Sequence, residues 1–274
     1  MTNWLITGVS GGLGRALAEA ALARGDKVAG TVRKAADLAA FEAMGGKGFL
    51  ADMTDEDAVR AAVDGAEAAL GGLDVLVANA GYGLFGAVEE ASLAEVRAQF
   101  EVNVFGPIAA MQAVLPYFRA RRAGRIIAIT SVSGVAVWAG TGVYCGSKHA
   151  LEGVTRTLAQ EVSDLGIKVT CVEPGGIRTD FAGRSMVVTQ RAIADYAGAG
   201  HNAQRIMAHH AGHEPGDPAK MAQAILAIAG TEDPPLQLLL GADAIGYATQ
   251  QMALTQTEIG RWAKLSLSTG FDEE

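Results

Sequence analysis

Short runs in which nearly every residue is apolar or β-branched alternate along this chain with longer stretches in which apolar positions recur every third or fourth residue. The short runs are NWLIT (3–7), KVAGTV (27–32), GFLA (48–51), DVLVAN (74–79), RIIAIT (125–130), KVTCVE (168–173) and LQLLLG (236–241). A strand that is apolar at successive positions has both faces covered, which is the condition of a parallel sheet lying between two helical layers. The intervening stretches supply the crossover helices. In GLGRALAEAALARG (12–25), Leu13, Leu17, Ala20 and Ala21 fall on one face, and DEDAVRAAVDGAEAALGG (55–72) opens with acids suited to a helix N-terminus. The pattern predicts a doubly wound α/β fold with a seven-stranded, mostly parallel sheet and helices on both faces.

Two regions depart from this alternation. Residues 181–218 are rich in Gly, Ala, Met and His and lack a strand pattern, so they read as a helical flap or a mobile loop. Their position after a strand's carboxyl end makes them a candidate substrate lid. Residues 243–266 read as a helical extension with Met252, Ile259, Trp262 and Leu265 apolar, suited to the core or to a subunit contact. No linker, repeat or shift of composition divides residues 1–274, which are expected to form one domain.

Composition narrows the function classes. The formal charge of −8 offers no general attraction to a phosphate backbone or an anionic lipid surface. Nucleic acid and membrane are therefore not expected partners. No apolar run approaches the ~20 residues needed to span a bilayer, and MTNWLITG carries no basic leader segment. A cytoplasmic protein is expected. Cys145 and Cys171 are too few to staple a chain of 274 residues and read as small apolar side chains. His209, His210 and His213 in HHAGHEP lack an evident third ligand, and Pro215 interrupts any helix carrying them, so no metal site is expected.

Candidate chemistry begins directly after the first strand. TGVSGGLG (Thr7, Gly8, Ser10, Gly11, Gly12, Leu13, Gly14) joins strand to helix. Its glycines allow backbone to approach a pyrophosphate closely, and the helix start offers unpaired N–H groups to the anion. The spacing T-G-x-x-x-G-x-G is more open than the G-x-G-x-x-G fingerprint, but it stands at the same strand-to-helix junction. The doubly wound fold is thus expected to be a Rossmann fold that binds a dinucleotide. The second strand ends in Val32 where an acid would favour a free ribose 2′-hydroxyl, and Arg33 and Lys34 follow. Cations there favour a 2′-phosphate, so NADP(H) is the preferred cofactor, with NAD(H) possible.

Other residues at strand ends on that edge are Asp52, Asn79, Asn103, Thr130 and Ser131. Tyr144 lies thirteen residues after Ser131, and Lys148 four after Tyr144. On a helix beginning near Tyr144 the i,i+4 spacing stacks phenol and ammonium, so that the cation can lower the phenol pKa towards working pH. Ser131 can then polarise the same substrate oxygen.

With these residues in place, the chain resembles the short-chain dehydrogenase/reductase family of the classical type. The carriers are TGVSGGLG, ANAG (78–81), VNVFG (102–106), Ser131 with YCGSK (144–148), and PGGIRT (174–179), in the family's order. The resemblance implies an NAD(P)-dependent enzyme interconverting a ketone or aldehyde and an alcohol, with Tyr144 as general acid or base. Lys148 would lower the tyrosine's pKa and hold the nicotinamide ribose, Ser131 would orient the carbonyl, and Asn103 would support a water-linked proton path to Lys148. Asp52 and Met53 would meet the adenine, and Asn79, Ala80 and Gly81 the adenosine ribose side. Pro174, Gly175, Ile177 and Thr179 would meet the nicotinamide carboxamide or phosphates. A homodimer or homotetramer is implied. ANAG has Ala78 where the family often has a second asparagine, a departure that touches no catalytic role.

Val137, Trp138, Tyr82, Phe85, Met186 and Tyr196 are the candidate pocket residues and suggest an apolar substrate. The competing reading is a catalytically silent NADP(H)-binding redox sensor or scaffold, against which the intact Ser131, Tyr144 and Lys148 argue. An epimerase or dehydratase would need a larger sugar-nucleotide domain than the ~95 residues after Thr179 allow.

Overall fold

Each strand of the main sheet feeds two cores at once, and this explains why the strands are apolar at successive positions. Leu5, Leu76, Ile126 and Ala128 point to one side, while Trp4, Ile6, Val75, Val77, Ile127 and Ile129 point to the other. The computed structural model describes residues 1–271, with Ala182, Arg184 and His210 described by their backbone alone. The strands are β1 (Asn3–Thr7), β2 (Lys27–Val32), β3 (Lys47–Leu50), β4 (Val75–Ala78), β5 (Gly83–Phe85), β6 (Gly124–Ile129), β7 (Ile167–Pro174), β8 (Met186–Val188) and β9 (Gln237–Leu240). Seven of them form a sheet in the order β3-β2-β1-β4-β6-β7-β9. All of its pairings are parallel, so the expected "mostly parallel" sheet is wholly so.

The helices are α1 (Gly12–Ala23), α2 (Ala35–Ala43), α3 (Glu56–Leu70), α4 (Leu93–Phe100), α5 (Gly106–Arg121), α6 (Gly142–Glu161), α7 (Phe181–Arg184), α8 (Asn202–His210), α9 (Pro218–Ala229) and α10 (Ala242–Leu267). One face of the sheet is covered by α3, α5 and α6 through Val59, Val63, Val114, Phe118, Leu151 and Leu158. The other is covered by α1, α2 and α9 through Leu13, Leu17, Phe41, Ile225 and Leu226. The acids read as a helix start take that role: Asp55 caps α3 by accepting from Ala58 N–H at 3.0 Å. Strand order reverses between β1 and β4, which opens a crevice at their carboxyl ends.

Three expectations change. VNVFG reads as a strand end, but Asn103 lies in a π-helical turn (Glu101–Phe105) that joins α4 to α5. Its β-branched residues carry strand propensity, yet helix on both sides decides the backbone. Residues 181–218 contain a strand after all: β8 pairs in parallel with β5, three residues on each side, too short to leave a periodic signal. Thirdly, α10 buries only Ala244 and Ala248, whereas Met252, Ile259, Trp262 and Leu265 are all more than half exposed, so they do not belong to the core. Among the described residues, no helix is long and apolar enough to cross a membrane.

Candidate active site

The glycine loop between β1 and α1 is held from beneath. Thr7 Oγ1 accepts the N–H groups of Asn79 (2.9 Å) and Ala80 (3.0 Å), and the Asn79 side-chain amide donates to Thr7 O (2.8 Å) and Gly8 O (3.2 Å). Asn79 and Ala80, read as ribose contacts, thus also clamp the loop. Gly8 adopts φ +75°, and a Cβ on Gly14 would fall 2.3 Å from Asn79 Nδ2 and 2.5 Å from Gly8 O. Gly11 caps α1 without a side-chain hydrogen bond, so no side chain of the cap competes for the first-turn N–H groups. This cradle fits a dinucleotide pyrophosphate. Thr179 lies opposite, its side-chain carbons 3.9 Å from where a Gly12 Cβ would be. Ser10 is exposed at the loop, as are Arg33 and Lys34 beyond the end of β2.

Other residues expected at the cofactor fall into two groups. Asp52 is exposed at the rim, its carboxylate accepting from Thr54 N–H (3.0 Å) and Thr54 hydroxyl (2.9 Å). The side chains of Leu13 and Met53 are buried in the core, and Ile177 packs against it. Pro174 ends β7, and Gly175 and Gly176 turn over Asp243, whose carboxylate accepts from Gly176 N–H at 2.8 Å.

The catalytic candidates converge below this crevice. Ser131 leaves the end of β6 with its Oγ accepting from Ser133 N–H at 3.0 Å, a bond that orients the hydroxyl. Tyr144 lies in the first turn of α6, and Lys148 follows one turn later with Nζ 5.9 Å from the Tyr144 ring centre and donating to Ile129 O at 3.0 Å. Cys145, next to Tyr144, faces Thr141 Oγ1 at 3.1 Å and is a packing residue. Asn103 is fully buried, donating to Tyr82 O (2.9 Å) and Ser147 Oγ (3.1 Å) and accepting from Tyr82 N–H (3.1 Å). Its Oδ1 would lie 3.1 Å, and Lys148 Nζ 3.6 Å, from a Cβ on Gly81. Asn103, Gly81 and Lys148 therefore share one small space. A π turn at this point shifts the helix register, a feature that recurs at functional sites.

Electrostatics here differ from the expectation drawn from spacing. Burial pushes the Tyr144 phenol up to about 12, with its hydrogen bond to Ser131 pulling the other way. Burial brings the Lys148 ammonium down to about 8, opposed by the charge of Glu152. Among the protein's own groups, desolvation dominates, and Ser131 rather than the Lys148 cation is what pulls the phenol down.

Of the pocket candidates, Phe85 stacks on Tyr144, with ring centres 6.2 Å apart. Tyr82 is fixed through its backbone by Asn103 and by Gln99 Nε2, which donates to Tyr82 O at 2.8 Å. Met186 lies on β8, paired with Gly83. Trp138 sits edge-on to Tyr247 at 5.2 Å, and Val137 is exposed. Tyr196 is drawn away to the surface, its hydroxyl donating to Glu89 Oε2 at 2.7 Å. Sequence reasoning missed Phe181, whose ring centre is 6.1 Å from that of Tyr144, and the buried Gln99. Phe181 lies two residues after the end of PGGIRT, which is the one signal that could have found it.

Residues 189–201 are tied to an acidic stretch by polar contacts. Glu90 accepts from Ile193 N–H (2.6 Å) and Ala87 N–H (2.8 Å) and contacts His201 Nε2 (2.8 Å), while Glu95 accepts from Gln190 N–H (3.0 Å). The Ile193 bond, with His201 and Ala87 adding to it against burial, holds the Glu90 carboxyl down at about 2. A depressed carboxyl stabilises the fold above its unfolded value of ~4.5, and that contribution fades as pH falls from there towards 2. Glu90→Gln is expected to speed amide exchange across 193–201 by about tenfold at neutral pH. Hydrogen-exchange mass spectrometry checks this, and unchanged exchange would mean the contacts do not hold the segment.

Comparison with known proteins supplies the remaining findings. A family model described as short chain dehydrogenase matches residues 2–187. Oxidoreductase BOA17 of Botryotinia fuckeliana is 38% identical over 270 residues, covering 97% of this chain and 98% of that protein. The crystal structure of a short-chain dehydrogenase from Streptomyces avermitilis superposes with a TM-score of 0.92 at 38% identity, covering 98% of both chains. A short chain dehydrogenase from Burkholderia cenocepacia, solved in complex with NADP, gives a TM-score of 0.69 at 33% identity over 89% of this chain and 98% of that one.

Proposed function

The chain belongs to the short-chain dehydrogenase family, and from that premise we propose that it is an NADPH-preferring oxidoreductase interconverting a ketone or aldehyde and an alcohol. The observation that carries this reading is the cluster at the sheet's carboxyl edge: Ser131 at the end of β6 with its Oγ fixed by Ser133 N–H, Tyr144 in the first turn of α6, and Lys148 one turn further with Nζ 5.9 Å from the Tyr144 ring centre. The glycine cradle and Thr179 would hold the dinucleotide, and Arg33 and Lys34 would meet a 2′-phosphate. When bound, the nicotinamide supplies or accepts the hydride.

The chain's own residues do the rest. In reduction, Tyr144 gives its proton to the carbonyl oxygen as that oxygen becomes an alkoxide. A phenol raised to about 12 is fully protonated at neutral pH, and an alkoxide is the stronger base, so the transfer runs downhill. Ser131 donates a hydrogen bond to the same oxygen, and the Lys148 ammonium stabilises the phenolate left behind. Asn103 holds the backbone of Tyr82 beside Lys148 and supports the path by which Tyr144 is reprotonated. Phe85, Phe181 and Met186 make the approach to Tyr144 apolar, which suits an apolar carbonyl compound, and residues 181–218 act as its lid. The exposed apolar side chains of α10 suit contact between copies of the chain in a homodimer or homotetramer. Free, buried Cys145 and Cys171 accord with the cytosol.

A screen of aldehydes and ketones, followed through the absorbance of reduced nicotinamide, tests the reading. NADPH is expected to be consumed faster than NADH, and Arg33→Ala with Lys34→Ala should narrow that preference by about tenfold or more. Consumption of neither coenzyme with any carbonyl would leave a silent binding protein as the better account. A preference for NADH would remove the role given to Arg33.

A further inference from the structure

The inner face of α6 carries a third buried polar residue beyond the two the chemistry uses. Tyr144, Lys148 and Glu152 follow at four-residue intervals, so each lies one turn from the next on the same face. Glu152 is only 4% exposed. A carboxylate buried so deeply is stable only where other groups compensate its charge. Its Oε1 lies 2.6 Å from the hydroxyl of Thr130, the residue immediately before Ser131. That hydroxyl is also 2.9 Å from Val172 O, but the contact to the carboxylate is the shorter, as a charged acceptor makes it, so the single hydroxyl proton goes to Glu152. Oε2 is buried with no hydrogen-bond partner among the described residues. The Glu152 stem lies against the turn after Ser131: a Cβ on Gly134 would fall 2.8 Å from Glu152 Cγ.

We propose that Glu152 is a positioning residue of the active site: its carboxylate keeps Lys148 in the ammonium form, and its bond to Thr130 fixes the strand end that presents Ser131. The inference rests on the roles given above to Lys148 and Ser131. The charged and titratable groups around Glu152 are Lys148 and Arg156 on α6 and Cys171 and Glu173 on β7. Glu173 is pushed up to about 7, by burial first, against its hydrogen bond from Gln237, and with the charge of Glu152 adding to the rise. A proton on Glu173 relieves the repulsion between the two carboxyl groups. Without Glu152, nothing resolved around Lys148 opposes the burial that has already brought it down to about 8.

The test reads Lys148 directly. In full-length protein labelled with ¹³C-lysine, the Lys148 side-chain resonance is identified by its loss in Lys148→Met and titrated by NMR through the alkaline range. The midpoint is expected to fall by about one pH unit in Glu152→Gln, which keeps an acceptor for Thr130 but no charge, and to fall less in Glu152→Asp. A folded Glu152→Gln whose Lys148 midpoint is unmoved overturns the proposal, because a merely structural glutamate would alter the melting temperature alone. Should the glutamine variant not fold, Glu152→Met removes the charge together with its desolvation penalty. The same fall is expected there, and an unmoved midpoint is equally decisive. The titration needs no carbonyl substrate, so an unproductive substrate screen leaves it readable, and a negative titration leaves a productive screen standing.

Discussion

Tyr144→Phe is expected to lower kcat by about 10²–10⁴-fold, the range that a positioned proton donor contributes, while NADPH binding changes by less than about twofold, since no binding contact but the hydroxyl is lost. The substitution removes only the phenolic oxygen. The ring stays packed between Phe85 and Phe181, so the fold and the approach to the site are kept. Ser131 still accepts from Ser133 N–H and remains in place to polarise a carbonyl. What vanishes is the proton that the new alkoxide must receive, and water cannot easily replace it at a position that is 9% exposed. Stopped-flow kinetics with the best carbonyl from the screen, alongside fluorescence titration of NADPH, separates the two effects. A variant that turns over at the parent rate would show that the proton comes from elsewhere, and the mechanism would fall with it.

How much of this was legible beforehand follows from what periodicity can report. The run of residues 3–7 announces a strand covered on both sides, and the sheet confirms it by sending Leu5 to one core and Trp4 and Ile6 to the other. The interval from Tyr144 to Lys148 announces a shared helix face, and α6 supplies it. Burial patterns of this kind belong to a single element and are written in its own sequence. Buried polar partnerships are not. Gln99 and Asn103 converge on Tyr82 O because α4 ends in a π turn, and Glu90 meets Ile193 and His201 only because the chain returns over it more than 100 residues later. The Tyr144 phenol makes the same point: spacing reveals the cation but not the desolvation, and desolvation is the largest influence on the phenol.

Gly14→Ala is expected to weaken NADPH binding by about 10²-fold, as hydrogen bonds to a charged phosphate are lost. It should also destabilise the fold by about 1–3 kcal/mol through overpacking. Helix propensity alone points the other way, because alanine within a helix is favoured over glycine by ~1 kcal/mol. The clash decides the sign. The new methyl would stand 2.3 Å from Asn79 Nδ2 and 2.5 Å from Gly8 O, and Gly8 O is backbone that can move only by dragging the loop with it. Shifting Asn79 instead breaks its bonds to Thr7 O and Gly8 O, which give the cradle its shape. Either relaxation misaligns the N–H groups that would meet the pyrophosphate, so affinity and stability are expected to fall together. Gly153→Ala is the control: it lies in α6 with nothing within 4 Å of the added methyl, and there propensity should prevail, leaving the protein equally or more stable. Calorimetric titration of NADPH and thermal unfolding of both variants read the contrast. A Gly14→Ala protein that binds NADPH as the parent does would mean that the pyrophosphate is held somewhere other than the loop between β1 and α1.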